Sequence, residues 1–248
     1  ERLLRARVLS VPRDADALVA LGDIVAQKGA LGEATALFHR AVALAPGAHS
    51  VRLHLSELHA RQAHYPMALS LLRQVPPEHR RSFDMRAREA ALLGQVGRRD
   101  EEIDLYRELA AEQPKNPHLW LTLGTALNYA GRRDEAVEAL RRAIRLQPTF
   151  GEPWWSLANL KSFRFDKRDI AAMESALRGE LRPIDALHFH FALGRAFEGR
   201  GEHEKCFEHY SAGNRLRASS LTPAQMFVTT FIDAQIATFT PALLDHYN

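Results

Sequence analysis

One pentapeptide occurs twice at a fixed interval, and that interval limits the folds open to this chain. Gly97-Arg-Arg-Asp-Glu returns 34 residues later as Gly131-Arg-Arg-Asp-Glu, and Pro114 returns as Pro148. Within 117–150, Trp120, Leu123, Gly124 and Leu127 make one apolar stripe at helical spacing. Ala136, Leu140, Ala143 and Ile144 make a second stripe after Gly131. Either helix alone leaves its apolar face wet, so the two pack together and then on a neighbour. Gly124 and Ala136 carry little bulk, which predicts a close helix crossing with Trp120 and Leu140 filling the space beside it. Pro148 ends the second helix, because it has no amide donor and constrains the residue before it.

The same register runs along most of the chain. Residues 15–48 supply Leu18, Leu21, Gly22, Gly29, Ala34, Phe38, Ala41 and Pro46. Residues 49–82 supply Leu55, Ala68 and Leu72, and 83–116 repeat the turn but place Arg86 where Trp120 stands. Residues 151–184 keep Trp154, Leu157 and Ala158, yet their turn, Ser162-Phe-Arg-Phe-Asp, is out of phase. Leu193, Gly194, Phe197, Gly201, Cys206 and Tyr210 restore the pattern. From Gly124 to Gly194 is 70 residues, two periods plus two, so the fifth unit carries a two-residue insertion. This Trp-Leu-Gly…Ala…Pro pattern on a period of ~34 residues resembles the tetratricopeptide repeat.

The expected fold is an all-α, right-handed helical-hairpin solenoid with a C-terminal capping helix. The chain is 46% hydrophobic and 25% charged, rich in good helix formers, and no stretch alternates with period two. We expect residues 1–14 to be the remnant of a preceding repeat whose first helix is missing. Four repeats over 15–150 and two divergent ones over 151–219 follow. Residues 220–248 read as a capping helix and the start of a linker to a missing domain. Thr222-Pro223 is a good helix start, and Met226, Phe227, Thr230, Phe231 and Ala234 form its apolar face.

From Phe150 the wording becomes more specific. Phe150-Gly-Glu-Pro-Trp-Trp-Ser-Leu-Ala-Asn-Leu-Lys-Ser-Phe-Arg-Phe, Asp169-Ile-Ala-Ala-Met-Glu, Leu187-His-Phe-His-Phe-Ala-Leu-Gly-Arg-Ala-Phe-Glu, His209-Tyr-Ser-Ala-Gly-Asn-Arg-Leu-Arg and Ile236-Ala-Thr-Phe-Thr-Pro resemble bacterial tetratricopeptide-repeat sulfotransferases over about 150–245. That resemblance implies a longer enzyme that takes sulfate from 3′-phosphoadenosine 5′-phosphosulfate. The phosphate loop of that family, Pro-Arg-Ser-Gly-Thr-Thr, does not occur in this chain, so transfer and cofactor binding are expected of the missing domain.

A stack of such hairpins exposes first-helix positions two, five, nine and twelve on its hollow face. Those positions hold Asp23, Glu57, Leu121, Thr125, Asn128, Glu152, Trp155, Asn159, Phe191, Arg195 and Glu198. As a partner-binding groove we single out Leu121, Thr125, Asn128, Trp155, Asn159, Phe191, Arg195 and Glu198. Asn128 and Asn159 can bond a peptide backbone through their amides, and Arg195 can pair with an acidic side chain. Trp155 follows the core residue Trp154 and therefore points elsewhere, as a binding anchor.

Other chemistries find less support. His54, His59 and His64 are five apart, which rotates them around a helix, and His188 and His190 fall on opposite sides, so no metal site is expected. Cys206 stands at the small position equivalent to Ala136 and reads as a buried structural thiol. No Ser, His and Asp stand in a catalytic order. The net charge is +3, and the densest basic patch, His79, Arg80, Arg81, Arg86 and Arg88, has no aromatic stacking motif beside it. A nucleic-acid partner is therefore disfavoured. No apolar run is long enough to span a bilayer. The expectation is a cytoplasmic, non-catalytic scaffold for a protein or peptide, the substrate- or partner-binding region of a sulfotransferase. The alternative is a free-standing adaptor that assembles a multiprotein complex.

Overall fold

The structure is a computed structural model in which residues 1–160 and 163–219 are described. The expected capping helix of 220–248, the linker after it and Ser162 of the irregular turn lie outside the described residues. Among the described residues every regular element is an α-helix, and the fold is that of the helical-hairpin repeat. The chain divides into two compact units, Glu1–Arg132 and Arg133–Asn248.

The first unit contains α1 (Arg2–Ser10), α2 (Ala15–Gln27), α3 (Leu31–Leu44), α4 (His49–Arg61), α5 (Tyr65–Arg73), α6 (Pro77–Arg80), α7 (Phe83–Gln95), α8 (Arg99–Glu112) and α9 (Pro117–Tyr129). Polar side chains open several first helices. Asp14 accepts from the Ala17 amide, Ser82 from Met85 and Asn116 from His118. Each hairpin is then closed by backbone alone. Gly29, Ala63, Gly97 and Gly131 all have positive φ, between 59° and 84°. The next amide in each case reaches back to the last turn of the helix: Ala30 to Val25, His64 to His59, Arg98 to Leu93 and Arg132 to Leu127, at 2.8–3.2 Å. This six-to-one bond is the Schellman closure, and it recurs at the 34-residue interval of the sequence.

Small residues let these hairpins close tightly. A Cβ on Gly22 would come within 2.8 Å of the Phe38 ring, and Phe38 is itself fully buried with Leu18, Ala34 and Leu55. Where the pattern has Ser56, the hydroxyl donates to the Ala68 carbonyl at 2.7 Å and so remains satisfied in a buried place. Ala68, Leu69, Leu72, Leu92 and Leu93 continue the core between α5 and α7.

The second unit contains α10 (Arg133–Leu146), α11 (Gly151–Ala158), α12 (Lys167–Leu177), α13 (Pro183–Glu198) and α14 (His203–Ser219). Its last hairpin is regular. Gly201 has φ 72°, the Glu202 amide bonds the Phe197 carbonyl at 3.0 Å, and a Cβ on Gly194 would lie 2.6 Å from the Tyr210 ring. The other hairpin is not regular. α11 stops at Ala158, and its close packing partner is α13. α12 starts afresh at a capping box made by Asp166 and Asp169. Phe165 fills against Trp154, with ring centroids 6.2 Å apart, and Trp154 packs on Phe189 at 6.3 Å. Asp185, buried on α13, accepts the Gly151 amide at 3.0 Å and so caps α11 from 34 residues away.

Ion pairs repeat as well. Arg5, Arg73 and Arg141 are spaced by 68, two periods, and each reaches an acid 28 residues on: Glu33, Glu101 and Asp169. Each pair ties one second helix to the second helix of the following hairpin. Helical spacing alone predicts pairs within helices; Arg98–Glu101 and Arg99–Glu102 are of that kind, but these three are not.

Candidate functional site

The eight groove candidates fall in both units, three in the first and five in the second. Leu121 is only 8% exposed and belongs to the core, which corrects its assignment to the groove. Thr125 is half-buried and its hydroxyl donates to the Leu121 carbonyl one turn earlier at 3.0 Å. Asn128 is half-buried, and its main-chain carbonyl takes part in closing the turn at Gly131.

Four of the five in the second unit come together. Trp155 and Phe191 are half-buried with ring centroids 5.4 Å apart, and Phe191 continues to Tyr210 at 6.3 Å. Gly213 lies beneath Phe191, where a Cβ would come within 3.2 Å of the ring. The upper edge of this ladder is polar. Glu198 accepts from Arg195 at 2.7 Å and from the Tyr210 hydroxyl at 3.1 Å. These two donors hold the Glu198 carboxyl below its ordinary range, Arg195 contributing most. Burial, with Glu198 beside it, pushes the Tyr210 phenol up to about 12. Asn159 stands exposed and its amide donates to the Trp155 carbonyl at 3.0 Å.

Arg195 and Glu198 also border a cleft of about 450 Å³ whose walls include Phe163, Arg164, Phe165 and Arg200. The arrangement offers flat aromatic faces next to a charged rim, a surface suited to hold an extended segment. Spacing does not mark Tyr210 as a surface residue, because it occupies a core position of the second-helix pattern. Its ring packs on Gly194 while its hydroxyl reaches outward to Glu198.

The first unit has its own smaller recess of about 180 Å³, floored by Leu53, Ala60, Leu72, Met85 and Leu92. Glu57 and Arg88 pair across its mouth, from α4 to α7. Asp23 on α2 faces His54 at 3.8 Å, and Glu152 on α11 is exposed.

Residue stretches 25–92 and 117–160 match two models of the family described as tetratricopeptide repeat. These stretches are tetratricopeptide repeats. Solved repeat structures agree on the fold. YrrB, described as a TPR protein with an unusual peptide-binding site, is 11% identical, covers 83% of this chain with 96% of its own, and has a TM-score of 0.53. MamA 41-end from Desulfovibrio magneticus RS-1 is 14% identical, with coverage of 84% and 97% and a TM-score of 0.53. A further MamA crystal structure is 15% identical, with coverage of 80% and 95% and a TM-score of 0.50. At these identities the likeness is one of fold. The search of curated proteins found no match.

The tetratricopeptide framework explains other corrections. Trp120 occupies the position of Trp154 one repeat earlier, yet it is half-buried where Trp154 is enclosed, and its indole donates to the Pro114 carbonyl at 3.0 Å. Cys206 is likewise half-buried and not enclosed, and burial pushes its thiol pKa up. Three cations of the basic patch are paired: Arg80 with Glu89, Arg86 with Glu112 and Arg88 with Glu57. Among the described residues, no set of three or more His, Cys, Asp and Glu could hold a metal ion, and no helix is long and apolar enough to cross a membrane.

Histidines that spacing keeps apart are brought together across helices. His59 on α4 is 9% exposed and lies between His39 and His64, each at 5.7 Å between centroids. Both its ring nitrogens are buried without a hydrogen-bond partner, and burial pushes its pKa down, helped by the two neighbouring rings. His190 and His209 meet between α13 and α14.

Proposed function

We propose that this chain is a binding scaffold whose principal surface is the Trp155–Phe191–Tyr210 ladder with its Arg195–Glu198 rim, and that it holds an extended protein or peptide segment. The observation that carries this is a row of half-buried rings, one from each of α11, α13 and α14, left at the surface beside a paired Arg and Glu. Trp, Tyr and Arg dominate the energetics of protein interfaces because they bury large area at small entropic cost. The peptide-binding site ascribed to YrrB is consistent with such a role for this fold.

The test is direct. A displayed library of random peptides is selected on the chain, and the winners are measured against Trp155→Ala and Phe191→Ala. A central aromatic anchor is worth ~2 kcal/mol or more, so their affinity falls roughly 30-fold. Peptides that bind both variants with the wild-type Kd would remove this surface from the reading.

The finer reading is that the scaffold presents an acceptor to a sulfotransferase domain of a longer, cytoplasmic polypeptide. It is supported by the residues of 150–245 that resemble that family. In this reading the chain contributes no transfer chemistry, and 3′-phosphoadenosine 5′-phosphosulfate is held elsewhere. Sulfate transfer measured with the purified chain alone would contradict it, as would a full-length gene lacking the phosphate loop.

A further inference from the structure

The Nδ1 atoms of His190 on α13 and His209 on α14 face each other at 3.0 Å, with ring centroids 5.2 Å apart. Two nitrogens that close need a proton between them. One ring must therefore be the Nδ1–H tautomer, and the other must offer a bare Nδ1 lone pair. Phe197 stacks on His209 at 5.5 Å with the planes 20° apart, which fixes the orientation of that ring. An added proton can rest on the Nε2 of the donating ring and leave this bond in place, but one on the accepting Nδ1 turns both facing atoms into donors. The hydrogen bond is then lost, and a cation stands in a half-buried site.

We propose that His190 and His209 form a proton latch across the α13–α14 hairpin, closed while one of the two facing Nδ1 atoms stays bare and opened when acid protonates it as well. The neighbouring charges are mixed. Glu174 on α12 and Glu208 on α14 favour a charged His209, whereas Arg215 on α14 opposes one on His190. Glu152 on α11 and Asp185 on α13 bear on His188. Burial outweighs the acids: it is the largest influence on both rings and pushes both pKa values down. The latch is therefore closed above the ordinary imidazole pKa of about 6.5 and opens as pH falls below it.

Its neighbours give the latch a consequence. Phe191 follows His190 and Tyr210 follows His209, and both rings belong to the proposed binding ladder. Opening the latch loosens that surface, so acid releases the partner. This consequence rests on the proposed function; the latch itself does not.

Long-range proton–nitrogen NMR of the imidazoles, from pH 8 to 5, reads the latch in the wild-type chain. The expected result is one Nδ1–H and one Nε2–H ring at pH 8, titrating together. Two Nε2–H rings, or two independent titrations near 6.5, would overturn it. Hydrogen exchange followed by mass spectrometry supplies the second reading. After correction for intrinsic rates, protection over α13 and α14 falls about tenfold or more between pH 7.5 and 5.5. His190→Asn, whose amide keeps a non-titrating partner near the Nδ1 position, removes that dependence. An identical pH response in His190→Asn sinks the latch. A wild-type latch that opens in the NMR while a ladder-dependent peptide keeps its Kd at pH 5.5 sinks the link to binding.

Discussion

In the first unit α2, α4 and α7 hand over to α3, α5 and α8 through three residues each, 28–30, 62–64 and 96–98. In the second, α11 hands over to α12 across 159–166. The short connections need one left-handed residue and one six-to-one bond, both supplied by the backbone. The long one replaces them with side chains: the Asp166–Asp169 capping box, Phe165 against Trp154, and the Arg141–Asp169 pair. Equivalent positions therefore carry different loads in the two units. At the first-helix aromatic position Trp154 is buried beneath the irregular connection, whereas Trp120 is half-buried.

The strongest test sets Trp154 against Trp120, its counterpart one repeat earlier. Trp154 is 3% exposed and supports Phe165, Phe189 and the Arg141 guanidinium, which lies 5.9 Å over its ring. Trp154→Ala is expected to cost ~3–5 kcal/mol in denaturant unfolding. Trp120→Ala should cost clearly less, about 1–2 kcal/mol, since its side chain is only half-buried. Equal losses would show that the two positions are mechanically alike and the contrast false.

A smaller effect separates two members of the repeated ion-pair series. Arg141 pairs through two nitrogens with Asp169, which is almost fully buried, the second bond being 2.7 Å. Removing one partner leaves a buried carboxylate, and Arg141→Ala should cost about 3 kcal/mol. The equivalent Arg5–Glu33 pair is over 40% exposed on both sides, and Arg5→Ala should fall within error. A measurable loss at Arg5 would mean the series ties neighbouring hairpins together everywhere.

The repeat itself was legible in the sequence, and so were the turn glycines, because backbone conformation and close approach leave one residue type almost no alternative. Spacing puts Gly22 and Gly194 at helix crossings; that the rings meeting them there are Phe38 and Tyr210 comes from the structure. What was not legible is contact across helices. His190 and His209 are 19 apart, His39 and His59 are 20 apart, and neither interval belongs to a single helix face. The Arg5, Arg73 and Arg141 series did leave a signal, an acid 28 residues after a basic position that itself recurs every 68. It is visible once charges are tested against the period and not only the apolar residues. Leu121 misled for another reason. The hollow face is defined by what neighbouring helices leave uncovered, and the 8% exposure of Leu121 shows that its part of α9 is covered.

Acid separates the units by their buried imidazoles. Burial lowers His59 in the first unit and His188, His190 and His209 in the second. A histidine depressed in the folded state binds its proton first in the unfolded chain. Its contribution is intact above the unfolded value of about 6.5 and is lost as pH falls from there through the folded values. Carboxylates held down by their partners, Glu198 among them, give up their share only around and below pH 4. Between pH 6.5 and 5, exchange protection should therefore fall faster in 133–219 than in 1–132. His59→Phe should flatten the response of the first unit. A steeper fall in the first unit would assign the acid sensitivity to the His39–His59–His64 cluster instead.

The smallest effect tests the turn on which the regular hairpins depend. Ala63 holds the position that Gly29, Gly97, Gly131 and Gly201 hold elsewhere, and among the described residues it is the one non-glycine with positive φ, 59°. A Cβ there crowds the following carbonyl and costs ~1–2 kcal/mol. Glycine removes that cost but gives the unfolded chain more freedom, worth ~0.4–1 kcal/mol in the other direction. The balance predicts that Ala63→Gly raises stability by about 0.5–1 kcal/mol, seen as a higher urea midpoint at an unchanged slope. Gly97→Ala is the reciprocal experiment, and a clean one, because nothing lies within 4 Å of the added Cβ and only the backbone angle is challenged. It should lose about what Ala63→Gly gains. If both substitutions are neutral, the turn residue is not what closes these hairpins, and the contrast with 159–166 must come from helix length alone.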